Sequence, residues 1–326
     1  MLSSIDLPDP LGVLATTRRV VDASKAVRIN PQAIEELAKC IATRDLVPAE
    51  WESDLHWSDG PEATANYVLV LDALNFCFWG EPRWVVSYQG KRYNGYAALA
   101  AALTRALNDG VPLTDATFLA NINDTQLATI LAGEYTIPLL SERVDNLREV
   151  GRVLLECYDG QFSALIRAAN GSAIDLVRRV VDEFSSFRDI ANYAGAEVVF
   201  YKRAQILASD LHGAFNGVGL GVFHDLNQLT AFADYKVPQV LRELGALCYQ
   251  PELAQLLDAR DEIPAGSAFE VEIRAATVWA VEALRQALLR HGLRLPAYQL
   301  DWTLWQLGQE LPASTRPYHR TRTIYY

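Results

Sequence analysis

Apolar residues recur every three or four positions along most of this chain, and that spacing predicts helices. After Pro138, a residue suited to a first helical turn, Leu140, Val144, Leu147, Gly151, Leu154 and Tyr158 form one stripe, and Gly160 follows as a stop. A second long helix opens on the capping pattern Ser267-x-x-Glu270. It runs through Ile273, Ala276, Ala280, Leu284 and Leu288 to end at His291-Gly292. Weaker versions of the same spacing predict helices over 31–44, 60–79, 96–108, 161–169, 173–184, 199–213, 236–247 and 297–308. The clear strand signal is Trp84 to Tyr88, with Gln89-Gly90 as a turn and Lys91 to Tyr93 returning, and a short strand is expected near Ala196–Phe200. Strands do not alternate with helices, so a doubly wound sheet is excluded and a mainly α fold with one small β-hairpin is expected. No repeat or Pro/Gly/Ser linker divides the chain, which reads as a single domain over 1–326 with room for two helical lobes around a cleft.

With 326 residues, half of them hydrophobic, the chain can bury a large core. The apolar runs YVLVL and AALAAAL are far shorter than the roughly 18 residues of a membrane span. Asp6, Asp9 and Arg18 interrupt any apolar leader. Cys40, Cys77, Cys157 and Cys248 are scattered without a CxxC pair and read as reduced thiols, so a cytoplasmic location is expected. A net charge of −11 opposes a duplex nucleic acid partner, which demands a basic face, while leaving small ligands open. Against that background the final stretch carries Arg316, His319, Arg320 and Arg322 without an acid. Such a patch could hold one phosphate or pair with carboxylates elsewhere; composition favours pairing.

Several chemistries find no support. The five histidines never fall at HxxxH spacing, which argues against a metal site, and there is no GxSxG elbow. The run Gly217 to Gly221 lacks the GK[ST] of a phosphate loop and reads as a turn. More informative is Phe223 to Tyr235, where aromatics able to stack on a flat ring alternate with Asp225 and Asp234, acids able to accept paired N–H donors. For any one of these residues a structural role is the commoner outcome, each acid capping the helix that follows it and Phe223 and Phe232 lying in the core. Asp301 lies among large apolar residues in Leu300 to Trp305, where burial would raise its pKa unless something pairs with it; a cap, a salt bridge or chemistry would each justify the cost. Lys202-Arg203 could bind an anion or lie on a solvated face.

Taken together, LNFCFW (Leu74–Trp79), FYKRAQIL (Phe200–Leu207), LTAFADYKVPQVL (Leu229–Leu241), EVEIRA (Glu270–Ala275), LDWTLW (Leu300–Trp305) and the terminal PYHRTRTIYY resemble the queuosine salvage protein family nearly end to end. That resemblance implies a helical architecture similar to helix-hairpin-helix DNA glycosylases, although the Gly217–Gly221 run departs from their hairpin pattern. It also implies an N-glycosidase that cleaves queuosine 5′-phosphate to queuine and ribose 5-phosphate. A monomer without metal or other cofactor, membrane or stable nucleic acid partner is expected. By the same resemblance Asp301 is the catalytic acid, poised to stabilise an oxocarbenium-like state, to attack it, or to orient water. His56, Phe223, Asp225, Asp234 and Trp305 would hold the base, and Lys202, Arg203 and Arg320 the phosphate. Two other readings stay open: a non-catalytic queuine carrier, and a DNA base glycosylase, the latter opposed by the charge balance.

Overall fold

The computed structural model describes residues 8–43, 51, 54–312 and 314–326, and these form a mainly α fold. In chain order the elements are α1 (Val13–Ala23), β1 (Val27–Ile29), α2 (Pro31–Ala42), α3 (Gly60–Ala73), β2 (Val85–Tyr88), β3 (Lys91–Asn94), α4 (Gly95–Asn108), α5 (Ala116–Asn121), α6 (Asp124–Ile130) and α7 (Leu140–Cys157). There follow α8 (Phe162–Ala168), α9 (Ala173–Glu183), β4 (Ile190–Tyr193), β5 (Ala196–Val199), α10 (Lys202–Ala214), α11 (Lys236–Glu243), β6 (Leu247–Tyr249), α12 (Pro251–Asp258), α13 (Ala268–Arg290) and α14 (Ala297–Gln309). Among the described residues no helix is long and apolar enough to cross a membrane.

The chain divides into two compact units, one of residues 1–49, 189–202 and 225–322, the other of residues 50–188, 203–224 and 323–326. In the first unit α13 is the central element. Ser267 Oγ accepts from Glu270 N at 3.4 Å, Glu270 Oε2 accepts from Gly266 N at 3.1 Å, and Gly292 ends the helix at φ +80°. Its residues are buried on nearly every side, and α1, α2, α11 and α14 pack against it. Ile273, Ala276, Ala280, Leu284 and Leu288, the stripe seen in the sequence, all lie in the core that these helices share. β1 pairs antiparallel with β6, Val27 opposite Tyr249, a contact between segments more than 200 residues apart.

In the second unit α7 crosses α5, and the reason its stripe contains Gly151 is a close backbone approach: a Cβ there would lie 2.2 Å from Ala120 N and 2.6 Å from Ala116 O. Leu74 to Trp79 does not continue α3, contrary to the helix expected over 60–79. Two buried guanidinium groups take the carbonyls at that end instead. Arg143 donates to Leu74 O, Phe76 O and Cys77 O, and Arg203 to Asp72 O and Ala73 O. The helix therefore stops without leaving its last carbonyls unpaired, and Cys77 turns the chain at φ +42°.

Two further expectations need correction. The described residues contain three two-stranded antiparallel sheets, not one hairpin: β2–β3 lies where the alternation placed it, but β4–β5 and β1–β6 accompany it. The helices expected over 199–213 and 236–247 are shorter than the spacing suggested. Val199 belongs to β5 and Tyr201, at φ +49°, turns the chain into α10; α11 ends at Glu243, with Gly245 at φ +74° leading into β6.

Candidate active site

Within the first unit the fold brings Asp301, Asp234 and Lys202 together. Asp301 is on α14, the helix whose apolar face supplies Leu300 and Leu304 to the core, and its position on that helix makes it 4% exposed. Its Oδ1 accepts from Phe232 N at 2.8 Å. Burial raises its pKa well above the usual carboxylate range, and the negative charge of Asp234 raises it further; the Phe232 N–H and Lys202 pull it down. Asp234 is likewise buried, and its pKa is raised by burial against the opposing pull of Lys202 and of two backbone N–H groups. Those groups belong to Lys236 and Val237, at 2.9 and 2.8 Å from Asp234 Oδ1, so Asp234 does cap α11. The cap and the chemistry are not alternatives, because a carboxylate has a second oxygen. Two like charges so placed do not readily ionise together, so each carboxyl group makes the other harder to ionise.

Asp225 is also buried in this unit and opens the short turn Leu226–Gln228 that packs on α14. Trp305, one turn beyond Asp301, is partly buried against the core. Lys202 is 5% exposed, which makes a solvated face the wrong reading of this residue.

In the second unit His56 is the centre of an aromatic cluster. Trp51 stacks on its ring, centroids 3.9 Å apart and planes at 24°, and Tyr67 Oη lies 2.9 Å from Nδ1. Tyr96 Oη is 3.5 Å from His56 Nε2 and 3.5 Å from Asp210 Oδ2. Burial lowers the His56 pKa to about 3, so the ring is neutral at physiological pH, and burial with the nearby Asp210 charge raises that of Tyr96. Phe223 is half-buried in this unit, and the next residue is tied down by His224 N donating to Gly171 O at 2.9 Å.

The suggested phosphate cations separate. Arg203, 1% exposed, spends its guanidinium on Asp72 O, Ala73 O and Ser186 O and stacks on Phe187, so its role is to brace the backbone. Arg316 pairs with Glu243 and Arg322 with Glu262, as composition favoured for the tail. Arg320 is half-buried, its carbonyl accepting from Ile263 N at 2.8 Å. His319 is 1% exposed, and burial together with Arg274 lowers its pKa to about 3.

Several residues of these separate clusters escaped the sequence reading. Tyr67, Tyr96 and Asp210 are separated widely along the chain and carry no local signature. The buried ion pair of Arg274 with Asp189 was half visible, since Glu270 and Arg274 stand four apart in EVEIRA, but its second acid comes from 85 residues away. Among the described residues no group of three or more His, Cys, Asp or Glu is placed to hold a metal ion. What the first unit offers chemically is a desolvated carboxylate whose field is little screened, with a second acid and a cation alongside.

The sequence model of a family described as queuosine salvage protein matches residues 55–326. A protein of Sphaerobacter thermophilus named queuosine 5′-phosphate N-glycosylase/hydrolase is 61% identical over 321 residues, covering 98% of this chain and 99% of that protein. Proteins of the same name from Dictyostelium discoideum and Mus musculus are 39% and 35% identical, each aligned over at least 96% of this chain and 98% of the relative.

Proposed function

This chain belongs to the queuosine salvage protein family, and we propose that it hydrolyses the N-glycosidic bond of queuosine 5′-phosphate with Asp301 as the group beneath the anomeric carbon. The observation that supports Asp301 most directly is its setting: a carboxyl group 4% exposed on α14, with one oxygen fixed by the Phe232 N–H. A buried acid is expensive to keep unless its charge is used.

Cleavage breaks the bond from C1′ to the base nitrogen, and the bonding pair leaves with the base. Positive charge then spreads over C1′ and the ring oxygen, and an anionic oxygen nearby gains attraction as that charge grows. Water supplies hydroxyl to C1′, and its proton balances the charge on the departing base. The Asp234–Asp301 pair is suited to this sequence. Lys202 favours ionisation of the pair before the substrate is cationic, and the developing cation favours it further.

A 7-deazapurine has carbon in place of N7, so protonation at that atom cannot assist departure and help must come from another edge of the base. Asp225 and Asp234 are the acids assigned to that edge, Phe223 to stacking, Trp305 to the same ligand from α14, and neutral His56 to a hydrogen bond that needs no charge. Lys202 is first choice for the 5′-phosphate and Arg320 second, since Arg203 is committed to carbonyls.

The test is chromatography of free base after incubation with queuosine 5′-phosphate. The wild type is expected to release queuine and Asp301→Asn, with its fold intact, to release almost none. Undiminished release by the variant removes Asp301 from the role. Tight binding of queuine by a wild type that releases no base from the nucleotide would mark a carrier.

A further inference from the structure

Lys202, Asp234 and Asp301 stand on three separate stretches of chain, and one buried guanidinium bonds beside Asp234 directly and beside Lys202 through Asp189. Arg274, 2% exposed on α13, donates from Nε to Ala233 O at 3.0 Å, directly before Asp234. Its Nη1 and Nη2 donate to the two carboxylate oxygens of Asp189 at 3.0 and 2.5 Å, and Nη1 also lies 3.3 Å from Glu270 Oε1. The same Asp189 Oδ2 accepts from Lys202 N at 3.2 Å, while the Asp189 carbonyl accepts from Phe200 N and Tyr201 N at 3.0 and 3.1 Å. The guanidinium also stacks on the Phe200 ring, 3.9 Å from its centroid. Asp301 closes the circuit by accepting from Phe232 N.

We propose that the Arg274–Asp189 pair positions the acid–lysine cluster, holding the Phe232–Asp234 and Tyr201–Lys202 segments at a fixed separation so that Lys202 stays beside Asp234 and Asp301. Two features favour positioning over simple cohesion. A buried ion pair is a costly way to hold a core, since apolar residues of similar volume do it as well or better, whereas the rigid fork of arginine fixes direction as well as distance. Tyr201, moreover, is held at φ +49°, a conformation unfavourable for a bulky residue, at the step before Lys202. Asp189 takes the N–H groups on both sides of that turn's exit and so keeps Lys202 aimed. Other charged or titratable groups at the hub are Glu270, on the same helix, and His319.

The inference rests on the functional reading above, and its test separates the two. Arg274→Lys keeps the charge but loses the fork; Arg242→Lys, which disturbs the pairing of buried Arg242 with exposed Asp258 outside the cluster, is the control for lost stability. On queuosine 5′-phosphate, Arg274→Lys is expected to lower kcat about tenfold or more while KM changes less than about threefold, because misplacing reacting groups costs the chemical step first. In protein carrying ¹³C-labelled aspartate, the Asp301 titration is expected to move upward by about half a pH unit or more as Lys202 swings away. Should Arg274→Lys not fold, Asp189→Asn, which retains an acceptor for Lys202 N, is expected to give the same two changes. Wild-type kcat together with a wild-type titration overturns the inference, as does a kcat loss matched by Arg242→Lys at equal loss of Tm. A wild type that releases no queuine sinks the functional reading, and the titration then judges the positioning role by itself.

Discussion

The side chain at position 301 is held at a cost to the fold, and that cost has a sign that can be measured. Because its folded pKa is raised, the folded state binds a proton there more tightly than the unfolded chain does. The penalty is absent below about pH 3.8, where both states are protonated, and grows as pH rises toward the raised value. Asp301→Asn keeps an acceptor for Phe232 N–H, so the variant is expected to be at least as stable as wild type at pH 7 and to converge with it near pH 3.5, by thermal unfolding across pH. A variant less stable at pH 7 would mean the charge is stabilising. Turnover is expected to move oppositely, with a loss of about 10²–10³ in kcat, the scale of removing one electrostatic stabiliser of a transition state. Wild-type kcat should rise with pH through the titration of Asp301, since the proposed role calls for the anion. His319 gives the complementary case. Its folded pKa of about 3 means that the unfolded chain takes up a proton first as pH falls below 6.5, and stability is lost from there down toward 3. His319→Gln should flatten that loss by about 1.4 kcal/mol per pH unit between pH 6 and 4, read from urea unfolding; an unchanged slope would show that His319 does not titrate in this way.

Elements whose signal is local were legible. The α13 cap is a matter of three neighbouring residues, and Ser267→Ala is expected to cost about 1 kcal/mol of stability in denaturant unfolding, as loss of such a cap does. The stripe of α7 was legible too, although the spacing alone gave no reason for a glycine in it. That reason lies in α5, whose backbone occupies the space of a Cβ. Gly151→Ala should therefore destabilise by about 1–3 kcal/mol, although alanine is the better helix former, because the clash is with backbone that cannot swing aside. A stabilised variant would refute the close approach. Other elements were mis-sized because their boundaries are set by partners. α3 ends where Arg143 and Arg203 donate to the carbonyls at its end in place of another turn. β1 and β6 are three residues each and exist as strands by pairing with one another, which no window of sequence contains.

At the scale of the whole molecule, charge is divided by location. The net −11 is a property of the chain, but the basic tail that broke the acidic pattern is largely paired, Arg316 with Glu243 and Arg322 with Glu262. Lys202 and Arg320 then remain the cations assigned to a substrate phosphate. Catalytic efficiency is expected to be higher on queuosine 5′-phosphate than on the nucleoside, and to fall in Lys202→Met toward a common value for both. Equal efficiencies in the wild type would contradict a phosphate subsite. The sequence by itself determined the helical class, the two long helices, the β2–β3 hairpin and, through motifs spread from Leu74 to the last tyrosine, the family. Each of these depends on periodicity, a cap or residue identity, all carried by neighbours or by order along the chain. Only the tertiary structure decided that Asp234 and Lys202 stand beside Asp301, that Arg203 braces carbonyls, and that Arg274 binds Ala233 O and Asp189. Burial and pairing between distant segments govern those facts, because a charge in a core is set by whatever the fold places within a few ångströms of it.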